Sequence, residues 1–243
     1  MQGHTLFKVG GNRARLDAED VEFVHVASPT RRQRRELGAA VFVLGKAEAT
    51  LVNCTLTSEQ GFGLWLSQKA CVLADGCRFA QCGRSAVVLF GRGTLDLISS
   101  NITSAGMHGI CARGNTHVKA KGCHVADAAT RGIFAYENAT LELAGCSITG
   151  TRHPGLASLQ VESLQTGDSA TLKMDAACTF RANLGADVHV AGAVCCSPDV
   201  ERVYGARAAQ QPLGTPRARS HRTRAQSHAT VRQSWALVDA DAF

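Results

Sequence analysis

One column of small residues constrains the fold of this chain more than any other feature. Cys54, Cys77, Cys123 and Cys146 stand 23, 46 and 23 residues apart, and Ser100, close to cysteine in shape, fills the gap. Each is followed two residues later by an apolar side chain: Leu56, Phe79, Ile102, Val125 and Ile148. A second column, Ala40, Gly63, Ala86, Gly109, Gly132 and Gly155, keeps the same period and is followed by Val41, Leu64, Val87, Ile110, Ile133 and Leu156. Self-similarity at a fixed period of roughly 20 to 50 residues marks a solenoid.

The content of one period decides which solenoid. Apolar residues alternate within it, as in Leu95, Leu97 and then Ile102, or Leu141, Leu143 and then Cys146 and Ile148. Period two means strand. Three short strands joined by Gly, Asn and Ser turns fill about 23 residues, which predicts a single-stranded, right-handed parallel β-helix. Rungs about 4.8 Å apart make about six of them a rod near 29 Å long. The cysteine column is expected to be a buried ladder packed into a crowded bend.

The G-[IVL]-x-[AVL] strand, the Asn or Lys turn, the A-T-L-E-L strand and the G-C-x-[IV] strand together resemble the right-handed β-helix repeats of the pectate-lyase-like superfamily. The resemblance covers Gly38 to Ile148 most clearly and extends to about Val190. It implies the coil and leaves function open, because that coil serves polysaccharide lyases, glycosidases, tailspikes and the non-catalytic domains of F-box proteins.

The solenoid is expected over residues 1–192, with a basic loop inserted at 28–37 and a second insertion at 161–169. The first loop carries Arg31, Arg32, Arg34 and Arg35; with it skipped, Val21 falls in the cysteine column. Residues 193–243 read as a disordered basic tail holding seven arginines between Arg202 and Arg232, broken by the apolar Trp235-Ala236-Leu237-Val238. Loop and tail account for the net charge of +6. The ten cysteines, mostly in repeat columns, and a start lacking a hydrophobic signal segment point to reduced thiols and an intracellular, cytoplasmic or nuclear setting. Asn53, Asn101 and Asn138 are accordingly read as turn residues and not as glycosylation sites. No transmembrane segment, cofactor or metal is expected; Cys195-Cys196 and His189 lack a second ligand pair at the right spacing.

If Val41, Leu64, Val87, Ile110 and Ile133 face inward, Phe42, Trp65, Val88, Cys111 and Phe134 face outward, followed by Leu44, Ser67, Phe90, Arg113 and Tyr136. The outward columns of the next strand are polar, with Asp75, Asp96 and Glu142 interleaved with Lys119 and Lys121. A contiguous apolar face marks a contact surface. Phe42, Trp65, Phe90, Phe134 and Tyr136 are the candidate binding face. Arg84, His108, Arg131 and Arg113 form a candidate basic rim, with Arg84, His108, Arg131 and His153 falling in adjacent columns at the bend before the aromatic strand. Enzymes on this coil cluster carboxylates on an outward face, and no carboxylate accompanies this rim. The reading is a non-catalytic recognition scaffold for a protein partner, or for a glycan; the alternative is a carbohydrate-active enzyme. Nucleic-acid contact is expected only as non-specific binding by the tail.

Overall fold

The computed structural model describes residues 5–26, 38–163, 165 and 167–200. The expected loop at 28–37 and the tail from 201 onward lie outside the described residues. Within them the chain winds into a parallel coil in which each of seven rungs gives one strand to each of three sheets, and an eighth rung gives a strand to two of them. Sheet A stacks Phe7–Gly11, Ala39–Gly45, Phe62–Leu66, Val87–Gly91, Ile110–Gly114, Ile133–Tyr136, Leu159–Glu162 and Val188–Ala191. Sheet B stacks Arg15–Glu19, Glu48–Val52, Cys71–Asp75, Thr94–Ile98, His117–Lys121, Thr140–Ala144, Ala170–Met174 and Val194–Cys196. Sheet C runs from Glu22–His25 to Thr179–Arg181. At normal strand spacing the rungs of sheet A span about 34 Å.

The sequence columns are structural columns. Val41, Leu64, Val87 and Ile110 are 0% exposed and stack in register, as do the interior residues Leu95, Val118 and Leu141 of sheet B. The small residue before each sheet A strand is enforced by crowding. A Cβ on Gly109 meets the Gly132 carbonyl oxygen at 2.5 Å, and one on Gly63 meets the Ala86 oxygen at 2.8 Å.

The bend between sheets B and C is made by one left-handed residue per rung, at Asp20, Asn53, Gly76, Ser99, Gly122 and Gly145, with φ between 47° and 62°. The next residue is the cysteine column. Its role is more than packing, because each side chain donates back to a carbonyl of the preceding rung: Cys77 Sγ to Leu51 O at 3.3 Å, Ser100 Oγ to Ala74 O at 3.3 Å and Cys146 Sγ to Ala120 O at 3.3 Å. Serine therefore substitutes for cysteine in chemistry as well as in size. Burial pushes the Cys77 thiol up to about 11. Asn53 is a turn residue, as expected, whereas Asn101 begins a sheet C strand.

The last rungs depart from the expected register. Ile133 pairs with Leu159, Thr140 with Thr171 and Ser147 with Thr179, offsets of 26, 31 and 32 instead of 23. The extra residues are thus divided among three turns, not confined to 161–169. Three of them precede sheet A, so Ser158-Leu159 takes the place assigned to Gly155-Leu156, and the Thr151 hydroxyl lies 2.7 Å from that of Ser158. At the far end the coil continues past 192. Val194–Cys196 joins sheet B, the Ser197 hydroxyl donates to the Met174 carbonyl, and Val200 is 3% exposed in a short helix at Pro198–Val200. Residues 193–200 therefore belong to the solenoid, held by edge hydrogen bonds and one buried valine.

Candidate functional site

Sheet A and sheet B are built from the same rungs, yet their outer surfaces differ. On sheet A one outward column runs Lys8, Phe42, Trp65, Val88, Cys111, Phe134, Gln160 and His189. The next holds Phe90, Arg113, Tyr136 and Glu162 in register. Two aromatic groups result. Phe42 and Trp65 stack with centroids 4.6 Å apart, and Phe62 and Phe90 meet the indole edge-on at 5.5 and 6.3 Å. Higher up, Phe134 and Tyr136 stack at 4.6 Å. Val88 and Cys111 join the two, and the whole forms a second apolar cluster outside the interior core.

This surface is less open than an outward column suggests. Phe42, Trp65, Phe90 and Tyr136 are half-buried, while Val88, Cys111 and Phe134 are 2%, 8% and 7% exposed. The Trp65 indole Nε1 is itself buried and has no hydrogen-bond partner among the described residues. An unmet buried donor costs about 1–3 kcal/mol. Burial drives the Cys111 thiol up to about 12 against the opposing pull of Arg131 and Arg113, so it is a packing residue and not a nucleophile.

The expected basic rim is corrected in part. Arg131 lies with its guanidinium 4.2 Å from the Phe134 centroid and is 8% exposed; its Nε donates to Gln160, whose amide donates to Glu162. His108 is 2% exposed, with Nδ1 2.7 Å from the Thr130 hydroxyl and its ring 5.4 Å from Phe134. Burial, reinforced by Arg131, lowers its pKa to about 3, so it is neutral and part of the packing. Arg113 pairs with Glu137 at 2.7 Å and sits 5.7 Å from the Tyr136 centroid. Arg84 donates to Met107 Sδ at 3.6 Å. The three added residues put Leu156 where the 23-residue period placed His153 and leave His153 exposed outside the strands.

Carboxylates do accompany these cations, contrary to the sequence reading. Glu162 and Gln160 were hidden by the register shift, and Glu137 by its position in a turn. Glu137 accepts from Arg113, and Glu162 accepts from the Gln160 amide.

A different basic edge flanks the aromatic strip. Lys46, Lys69 and Arg92 recur at 23 residues on the turns leaving sheet A, all exposed, their backbones stacked through Lys46 N–H to Gly11 O, Lys69 N–H to Gly45 O and Arg92 N–H to Gln68 O. The period that revealed the cysteine column also carried this ladder. Phe62 was missed for a related reason: it lies two residues before the inward Leu64, where the bend turns it outward beside Trp65.

Sheet B shows the polar alternation expected of it. A groove of about 520 Å³ on its upper rungs is lined by Asp96, Lys119, Lys121, Glu142, Lys173 and Asp175, among others. Lys173 binds Glu142 at 2.9 Å, and Asp175 accepts the Gly145 N–H at 3.0 Å; these contacts hold both carboxylates below their usual range. Among the described residues no three His, Cys, Asp or Glu side chains converge at metal-ligand spacing.

A family model described as the right-handed beta helix region matches residues 24–192, well over half of the chain. The chain belongs to that family. No curated protein and no solved structure matches it significantly.

Proposed function

We propose that this member of the right-handed β-helix family acts as a non-catalytic recognition scaffold, taking a protein partner on the outward face of sheet A. The observation that carries the reading is the contrast between sheets. Phe42, Trp65, Phe90 and Tyr136 line sheet A where the equivalent outward positions of sheet B hold Asp96, Lys119, Lys121 and Glu142. Stacked, half-buried aromatics with few rotatable bonds, edged by cations, are the side chains that dominate protein contacts. The rigid coil fixes their spacing at one rung, so a partner meets a preformed surface and little ordering entropy is lost on its side of the complex.

The test is capture from lysate by the folded full chain and by a Trp65→Ser/Phe90→Ser variant, circular dichroism confirming that both keep the coil. The reading expects a protein retained by the unmodified chain and lost by the variant. Equal retention by both, or binding of polysaccharide alone on a glycan array, removes it.

A further inference from the structure

The cations beside the two outer surfaces are balanced in opposite ways. On sheet B the outward residues Asp96, Lys119, Glu142 and Lys173 stand in register one rung apart, so each charge has the opposite sign next to it. On the turns leaving sheet A the ladder is Lys46, Lys69 and Arg92, with Arg13 on the corresponding turn of the first rung, and no carboxylate interrupts it. All four are exposed, and none has an ion pair among the described residues. Like charges one rung apart repel, and an anionic ligand laid along the ladder relieves all of them at once. The ladder accompanies only the lower aromatic group. Lys46, Lys69 and Arg92 stand two residues past the outward Leu44, Ser67 and Phe90, whereas the same turn position holds Asn115 and Asn138 higher up, where Arg113 is already paired with Glu137.

The form of the ligand follows from the backbone. The strands of sheet A that carry the aromatics are paired on both sides, so their face offers side chains only and cannot take on a further strand, which needs a free edge. An extended peptide laid on these rings would bury N–H and C=O groups without partners. An α-helix satisfies its own backbone and presents side chains alone. Its pitch of roughly 5.4 Å is close to the rung spacing of about 4.8 Å, so acidic residues one turn apart follow the ladder. Over the two steps from Lys46 to Arg92 the misfit is about 1 Å, which these long side chains absorb. We propose that the occupant of this face is an amphipathic helix of a partner protein, lying along the coil axis, with its apolar stripe on Phe42, Trp65 and Phe90 and with Asp or Glu on one flank against Lys46, Lys69 and Arg92. The inference rests on sheet A being the recognition face and names the partner's chemistry there.

Two labelled peptides of about five helical turns serve as probes, both with Leu at every third or fourth position, one with Glu and the other with Lys along one flank of that stripe. Fluorescence anisotropy with the full chain is expected to show the Glu peptide bound and the Lys peptide unbound. Binding should weaken as salt is raised, and the circular-dichroism difference spectrum should show helix gained. Lys69→Glu/Arg92→Glu, with an unchanged melt, should weaken the Glu peptide roughly tenfold or more, as should Trp65→Ser/Phe90→Ser; Lys119→Glu/Lys121→Glu on sheet B should change it little. The arginine-rich sequence after Val200 is the same in all these chains, so the differences belong to the coil surface. Equal binding of the two peptides, or an affinity unchanged by Lys69→Glu/Arg92→Glu, overturns the proposal. So does heparin that binds through the ladder while neither peptide does, which would make the ladder a polyanion site. Capture separates this from the recognition reading. A lysate protein lost with Trp65→Ser/Phe90→Ser but kept by Lys69→Glu/Arg92→Glu leaves the recognition reading standing and sinks the acidic helix alone. A Glu peptide held through rings and ladder, with no lysate protein retained, sinks the recognition reading and leaves the helix site.

Discussion

Sheets A and B share every rung, every backbone hydrogen-bond partner one rung away and the same kind of interior. They differ in what their second set of side chains does. In sheet B the outward residues alternate in sign and settle into pairs such as Glu142 with Lys173. In sheet A they build a second apolar layer in which even the cations lie over rings, Arg131 on Phe134 and Arg113 beside Tyr136. The lesson is that a parallel β-helix needs only its inward columns to fold. The outward ones are released for other uses, and an apolar outward column costs solubility unless something covers it.

The largest expected effects show where the sheets are alike. Leu89→Ala in sheet A and Leu97→Ala in sheet B, both essentially unexposed, should each destabilise the coil by about 2–5 kcal/mol in denaturant titrations. A much smaller loss on one side would mean that the interiors are not equivalent. Next comes acid. With a folded pKa of about 3 against about 6.5 unfolded, His108 contributes stability that is fully present above about pH 6.5 and lost as pH falls toward 3, at up to about 1.4 kcal/mol per pH unit. His108→Gln should flatten that slope in melts between those pH values, and an unchanged slope would show that the imidazole is not held neutral. Smaller again is the contrast between outer layers. Phe90→Ser should cost about 1 kcal/mol more than Leu73→Ser on sheet B, where Leu73 is 37% exposed; equal costs would erase the distinction. Smallest is Lys173→Ala, which removes an exposed ion pair and should leave the melting temperature unmoved.

The interior was legible because two strong rules coincide there. Strand alternation fixes which residues point inward, and the bend before each sheet A strand admits only a small residue, so Gly63, Gly109 and Gly132 signal the period by themselves. The positions of Phe42, Trp65, Phe90, Phe134 and Tyr136 followed from that phase. What did not follow was their burial, which depends on rings and guanidinium groups packing across rungs, as His108 and Arg131 do around Phe134. Side chains this polar read as surface until the structure supplies Thr130 and Gln160 as their partners. The upper rungs were misread because insertions in three successive turns leave the strands intact while sliding every column, which is how Glu162 came to stand beside Tyr136 unnoticed. Lys46, Lys69 and Arg92 were on the 23-residue period throughout, and went unremarked because they lie in a turn and not in a strand.

The central claim is that recognition belongs to sheet A and not to sheet B. Hydroxyl-radical footprinting of side chains, read by mass spectrometry on the full chain alone and with its captured partner, tests it most directly. The account predicts that modification of Phe42, Trp65, Phe90 or Tyr136 changes on binding while Leu73 stays as reactive as before. Protection of Leu73 with the sheet A aromatics unaltered would place the partner on the charged surface and contradict the account.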